Sequence, residues 1–162
     1  MSNQKTLSII KPDAVKAGHT DAINLMIESS GLKILQKKEL NLTIEQAEKF
    51  YAVHSDKPFY KDLCNFMASG PIVVQMLEGE NAVELYRKVM GVTNPDKAEE
   101  NTIRKKFATS IQENAVHGSD SEENALKELN LKVDILVIDD NSPDKTWEII
   151  QRYSNDKKNI HL

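Results

Sequence analysis

A histidine followed by glycine and a run of small polar residues is the most chemically suggestive part of the chain. The run is Asn114, Ala115, Val116, His117, Gly118, Ser119, Asp120 and Ser121. A neutral imidazole is a competent nucleophile near neutral pH, and a glycine beside it lets a bulky substrate approach the backbone. Ser119, Asp120 and Ser121 are placed to cap a following helix, whose Glu128 can return to hold the ring in one tautomer. Taken alone, the same residues suit a histidine in a polar turn before a capped helix, and short motifs of this kind also match by chance. Cations on other segments change the weighting. Lys11 follows an apolar run, Arg87 precedes Gly91, Arg104 follows a long polar stretch, and Thr93 adds a hydroxyl between them. Each by itself reads as a solvated surface charge. Converging, they would clamp a triphosphate, because arginine forks match phosphate oxygens and lysine supplies a point charge. Phosphoryl transfer asks little of a protein beyond such positioning and charge stabilisation.

The elements that must position these groups follow from periodicity and punctuation. Thr6 to Ile10 reads as a buried strand ended by Lys11, Pro12 and Asp13, since Pro12 lacks the donor a central strand needs. Thr20 to Ser30 has helical spacing through Ile23, Met26 and Ile27, and Gly31 is placed to stop it. Lys33 to Leu42 is a weaker strand. Thr43 and Gln46 form a capping-box pattern, and the helix they open carries Ala47, Phe50 and Tyr51 on one face. A helix follows over Phe59 to Ala68, then a strand over Ile72 to Leu77 and a helix over Glu80 to Met90. The polar stretch Val92 to Asn101 leads to a short helical piece, and Asn114 to His117 is a last core strand. Two successive strand-helix-strand units predict an α+β sandwich of ferredoxin-like type, with a four-stranded antiparallel sheet and covering helices.

Bulk properties narrow the partners. The 162 residues are 40% hydrophobic and 28% charged, which suits one soluble domain with a real core. A net charge of -4 offers no general field for nucleic acid or an anionic membrane, so any grip on phosphate must be local. Cys64 is the single cysteine, which excludes an internal disulfide and fits a reducing compartment. The apolar run Leu7 to Ile10 is too short for a signal peptide, and no stretch is long enough to span a membrane, so a cytoplasmic protein is expected. No His, Cys or carboxylate spacing reads as a dedicated metal site.

Several motifs in register resemble the nucleoside diphosphate kinases. They are Thr6 to Asp13, His54 through Pro58 and Phe59, Ser69-Gly70-Pro71, Gly91 to Pro95, Thr102-Ile103-Arg104, and Asn114 to Ser121. The resemblance runs from about residue 5 to residue 128. It implies a ping-pong enzyme: a nucleoside triphosphate phosphorylates His117, its diphosphate leaves, and a second diphosphate takes the phosphoryl group. Glu128 would orient the histidine. Lys11, Arg87, Thr93, Arg104 and Asn114 would bind phosphates and ribose, with Lys11 also steadying the transferring group, and Tyr51 would support the site. Phe59 would stack on the base with Leu63 beside it, a contact that distinguishes bases poorly. Mg2+ would arrive bridging the phosphates of nucleoside di- and triphosphates. A homo-oligomer is also implied.

The chain departs from that family in three places. Asp21 stands where a glycine is usual; it is favoured there if the backbone is helical and strained if φ is positive. Glu99-Glu100-Asn101 stands where Ala-Pro-Gly is usual, placing acids near the cations. From Leu129 onward the sequence is foreign, so the expected domains are 1–128 and a C-terminal extension, 129–162. Val133 to Ile138 reads as a buried parallel strand, followed by a turn and a helix carrying Trp147, Ile150 and Tyr153. Val133 to Asp144 is similar to the start of family 2 glycosyltransferases of the polyprenyl-phosphate mannosyltransferase type. One strand and one helix cannot close a sugar-nucleotide pocket, so glycosyl transfer is not expected, and the segment reads as a fused or mis-joined fragment. The alternative to an active kinase is a catalytically impaired nucleotide-binding or scaffold protein.

Overall fold

Strand β1, Asn3–Ile10, becomes fully buried along its second half and forms the centre of the sheet. The computed structural model describes residues 3–138, with side chains to residue 130. Pro12 ends β1 and also starts helix α1, Pro12–Lys16, which the sequence reading did not anticipate. Proline at the first helical position loses no hydrogen bond, because that N–H has no partner in a helix anyway. Helix α2, Thr20–Ser29, follows, with Asp21 in its first turn. Asp21 is therefore helical and sits where the helix dipole favours an acid.

Strand β2 is Lys33–Leu40, and α3 is Ile44–Phe50 with both hydrogen bonds of the Thr43–Gln46 capping box formed. Helix α4 is Tyr60–Met67 and β3 is Ile72–Glu80. Helix α5, Ala82–Met90, starts two residues later than expected, because Glu80 still pairs with Asn3 and Asn81 turns the chain in the left-handed region. Helix α6 is Ile103–Phe107, β4 is Val116–Gly118, and α7 is Glu122–Ile138.

The strands lie in the order β2-β3-β1-β4, and each neighbouring pair is antiparallel. β2 forms one edge, with a bulge between Ile34 and Gln36 that leaves Leu35 out of register. Ile10, Ile23, Ile27, Leu77, Tyr86 and Ile103 belong to one buried cluster that joins α2, α5 and α6 to the sheet. Residues up to Leu129 form one compact unit.

One correction concerns the C-terminal segment. Val133 to Ile138, read as a strand, continues α7 instead. Its β-branched residues favour a strand only where a neighbouring strand can satisfy the backbone; a helix satisfies its own. The turn at Asp139 to Asp144 and the helix carrying Trp147, Ile150 and Tyr153 lie outside the described residues.

Candidate active site

The pairing of β1 with β4 sets the direction of the histidine. His117 pairs with Ile9 and Gly118 with Ser8, so the two residues of β4 point to opposite faces of the sheet. Gly118 faces α5: a Cβ there would lie 2.6 Å from Met90 Cε and 2.8 Å from Tyr86 Cδ1. The His117 ring faces α3, edge-on to Phe50 at 5.6 Å and to Tyr51 at 6.1 Å. Glycine at position 118 thus lets β4 pack closely on α5 while the imidazole turns the other way.

Glu128 reaches the ring from α7. Its Oε1 lies 3.2 Å from His117 Nε2, and its Oε2 accepts the Ser119 hydroxyl at 2.5 Å. Ser121 caps α7 by accepting the Asn124 N–H at 3.1 Å, and Asp120 accepts from the Asn124 side chain. The polar run after Gly118 therefore divides its work: Ser121 caps, and Ser119 orients the carboxylate. The sequence reading missed the role of Ser119. The signal was its separation of nine from Glu128, which carries meaning only when the intervening turn is known. With Nε2 hydrogen-bonded to a carboxylate, the proton sits on that nitrogen and the Nδ1 lone pair is left for chemistry.

The candidate cations are neighbours of one another, and Arg104 bonds the backbone carbonyl just before this histidine. Arg104 donates to three backbone carbonyls: Nη1 to Gly91 at 2.9 Å, Nη2 to Val116 at 2.9 Å and Nε to Asn114 at 3.4 Å. It ties together the loop after α5, the turn before β4 and β4 itself, and two of the guanidinium's five N–H groups remain for a ligand. Lys11 follows β1 and is only 6% exposed. Burial first, then the neighbouring Arg104 guanidinium, lower its pKa to about 8, against a smaller opposing pull from Asp13. Arg104 also has Arg87 as a charged neighbour. Arg104 thus has positive neighbours from two separate segments, Lys11 and Arg87.

Arg87, Thr93, Arg104 and Gly118 line a cleft of about 690 Å³ between α5 and the segment before α6. Gly91 forms its floor at φ +83, where a Cβ would lie 2.6 Å from Thr102 Oγ1. Thr102 caps α6 by accepting the Lys105 N–H, and its own hydroxyl donates to the Glu99 carbonyl at 2.7 Å. These bonds order the Glu99-Glu100-Asn101 segment without a Pro-Gly turn. Glu99 is among the residues that line the cleft.

The remaining candidates lie at different depths, and of them Tyr51 packs against the histidine ring. Asn114 is buried; its Nδ2 donates to the Ile111 carbonyl at 2.9 Å, and its Oδ1 has no hydrogen-bond partner. The Tyr51 hydroxyl is likewise buried without a partner, and burial followed by the Glu128 carboxylate pushes its pKa far above the usual phenol. Orphaned buried acceptors and donors are places where a water or ligand can complete the bonding, although neither residue lines the cleft of Arg87 and Thr93. Phe59, 50% exposed, precedes α4 with its ring 5.9 Å from His54. Leu63 is half-buried on α4. Neither lines the cleft of Arg87 and Thr93. The other described histidine, His19, stacks on Phe107 at 4.7 Å.

Comparison with known proteins gives the family and the fold. Residues 4–134 match the family model "Nucleoside diphosphate kinase", and residues 123–162 match "Glycosyl transferase family 2". The nucleoside diphosphate kinase of Methylobacterium radiotolerans is 57% identical over 129 residues, 80% of this chain and 92% of that protein. That of Azorhizobium caulinodans is 59% identical over 125 residues, covering 77% and 89%. Among solved structures, the Aquifex aeolicus nucleoside diphosphate kinase superposes with a TM-score of 0.79 at 38% identity, covering 81% of this chain and 95% of that one. The apo enzyme from Encephalitozoon cuniculi gives 0.78 at 34% identity, covering 91% and 99%. The fold, the family model and the relatives coincide over the segment that carries the histidine and the cations, and the chain belongs to the nucleoside diphosphate kinase family.

Proposed function

We propose that the chain moves the γ-phosphate of a nucleoside triphosphate to a nucleoside diphosphate through a phosphorylated His117. The observation that carries this reading is that Arg104, with Lys11 and Arg87 as positive neighbours, bonds the carbonyl just before a histidine whose Nε2 is engaged by Glu128. Such a cluster of like charges is stabilised when polyanionic phosphates enter it. In the first half-reaction Nδ1 attacks the γ-phosphorus, the N–P bond forms as the bond to the β-phosphate oxygen breaks, and the diphosphate departs. In the second, an oxygen of another diphosphate attacks the phosphohistidine, and the ring recovers its lone pair.

Each side chain has a physical task. Glu128 accepts from Nε2–H and stabilises the positive charge that develops on the ring during attack; Ser119 fixes the carboxylate. Lys11 steadies the transferring phosphoryl group, and Arg104 and Arg87 neutralise the phosphates on either side. Thr93 and Asn114 hydrogen-bond phosphate or ribose, and the orphaned Asn114 Oδ1 suits a sugar hydroxyl. The buried Tyr51 supports the ring at its edge. Phe59, exposed at the start of α4, stacks on the base, with Leu63 extending the apolar surface. Mg2+ enters as part of the substrate, the magnesium–nucleotide complex.

The compartment and assembly are read in the same light. Nucleotide substrates and a free, buried Cys64 suit a cytoplasmic enzyme. No helix among the described residues is long and apolar enough to cross a membrane. The edge strand β2, with Leu35 40% exposed, suits pairing with a second copy, hence a homo-oligomer. Residues 129–162 are read as a C-terminal extension outside the kinase domain of residues 1–128.

The test is covalent labelling. Incubation with γ-labelled ATP should leave an acid-labile label on the chain, GDP should remove it, and His117→Ala should take up none. Label that persists in His117→Ala would refute the mechanism. Stabilisation by nucleotide without any phosphohistidine would instead mark a binding or scaffold protein.

A further inference from the structure

The turn that carries His117 is held from the other end of the chain. Val116 N–H donates back to the Asn114 carbonyl at 2.9 Å, making a γ-turn with Ala115 at its centre. Ala115 has φ +71 and is completely buried. A residue with a Cβ is strained in this region and stays there only when its surroundings select it. Both backbone groups of Ala115 are taken by the segment after β1. Its N–H donates to Asp13 Oδ2 at 3.1 Å, and its carbonyl accepts the Lys11 N–H at 2.8 Å. Lys11 makes its bond with the main chain, whatever its side chain. The Asp13 bond alone depends on residue type, and it spans 102 positions of sequence. Rotating Ala115 out of the left-handed region would turn its N–H away from Oδ2 and leave a half-buried carboxylate without that donor.

We propose that Asp13 is a positioning residue, which locks Ala115 in the left-handed conformation and thereby sets the places of Asn114 before the turn and His117 after it. The inference rests on the reading of His117 as the nucleophile, because its consequence for activity is the rate of attack by that ring. Displacing an attacking atom by a fraction of an ångström to an ångström is enough to slow a reaction strongly. Asp13 itself touches no substrate in this account.

The test compares labelling of His117 by saturating γ-labelled ATP in wild type, Asp13→Ala, Asp13→Asn and the double variant Asp13→Ala with Ala115→Gly. Asp13→Ala should slow labelling about tenfold or more. Asp13→Asn keeps an oxygen acceptor and should stay within about threefold of wild type. The double variant should recover to within about threefold, because glycine adopts φ near +71 without strain. A merely structural carboxylate would not be replaced by a glycine at another position. Wild-type labelling speed in Asp13→Ala overturns the proposal, and so does a double variant as slow as Asp13→Ala alone. If Asp13→Ala fails to fold, the same change is measured in the Ala115→Gly background, where a tenfold loss overturns it. The His117 ring resonances give a readout independent of turnover: they should move in Asp13→Ala and return in the double variant. Failure of the wild type to take label would sink the nucleophile assignment, while unmoved resonances would sink the role of Asp13.

Discussion

Glu128 and His117 meet through one oxygen and one nitrogen, Oε1 and Nε2, 3.2 Å apart and only about one-fifth exposed. That contact engages Nε2 and leaves Nδ1 for the proposed attack, and Glu128→Gln tests it. The amide can present its NH2 group as easily as its oxygen, so the tautomer is no longer selected and the developing positive charge loses its counter-charge. The rate of phosphohistidine formation should fall about tenfold to a hundredfold, the range typical of losing an orienting partner. Rapid-quench labelling measures it, and an unchanged rate would show that the carboxylate does not act on the ring.

Lys11 predicts opposite effects of pH on activity and on stability. Its folded pKa of about 8 lies below the ordinary value of 10.5, so the unfolded chain binds the proton more tightly. Between these values the unfolded state carries more protons, and the stability contributed by this group rises with pH; it is lost as pH falls through about 8. The full effect is on the order of 3 kcal/mol. Activity runs the other way, because a neutral amine grips phosphate poorly: kcat/KM should decline above pH 8 or so. Lys11→Arg, charged throughout, should flatten that limb even with a lower maximum. A profile that keeps the same limb in Lys11→Arg would assign it to another group.

Gly91 tests the floor of the cleft. It combines φ +83 with a Cβ position 2.6 Å from Thr102 Oγ1, and Thr102 is held as the cap of α6. Gly91→Ala should cost about 2–3 kcal/mol through backbone strain and the displaced cap. Since Arg104 Nη1 donates to the Gly91 carbonyl, nucleotide binding should weaken as well. Thermal unfolding with and without nucleotide checks both parts; an unchanged midpoint would contradict the clash.

How much of this was legible before the structure depended on the range of the interaction. The α3 capping box needs only Thr43 and Gln46 three positions apart, and it forms as read. The buried half of β1 and the stop at Gly91 are equally local. Pro12 misled because one residue both ends a strand and opens a helix. The left-handed Ala115 left no trace in sequence, since alanine gives no signal for positive φ and its selection comes from Asp13 across the fold. Val133 to Ile138 misled for the opposite reason: its apolar run looks the same in a strand and in a helix, and it continues α7. Among the cations, residue type suggested phosphate, but only the structure makes Arg104 a charged neighbour of both Lys11 and Arg87.

Glu99 gives the last prediction, because it brings negative charge to a cleft read as a phosphate site. It lines the same cleft as Arg87, Lys97 and Arg104, while its carbonyl is held by Thr102. The backbone task does not require a carboxylate, so Glu99→Gln should fold as wild type. Removing one unit of charge some way from a polyphosphate in open solvent changes the interaction modestly, and nucleotide affinity should rise about threefold at low salt. Because the cleft is open to water, the gain should shrink as ionic strength rises toward a Debye length shorter than the separation. Titrating ADP binding across a salt series distinguishes this from a conformational effect, which would persist at high salt. Weaker binding in Glu99→Gln would mean that the carboxylate helps to organise the cleft, and the electrostatic account of this departure from its relatives would be wrong.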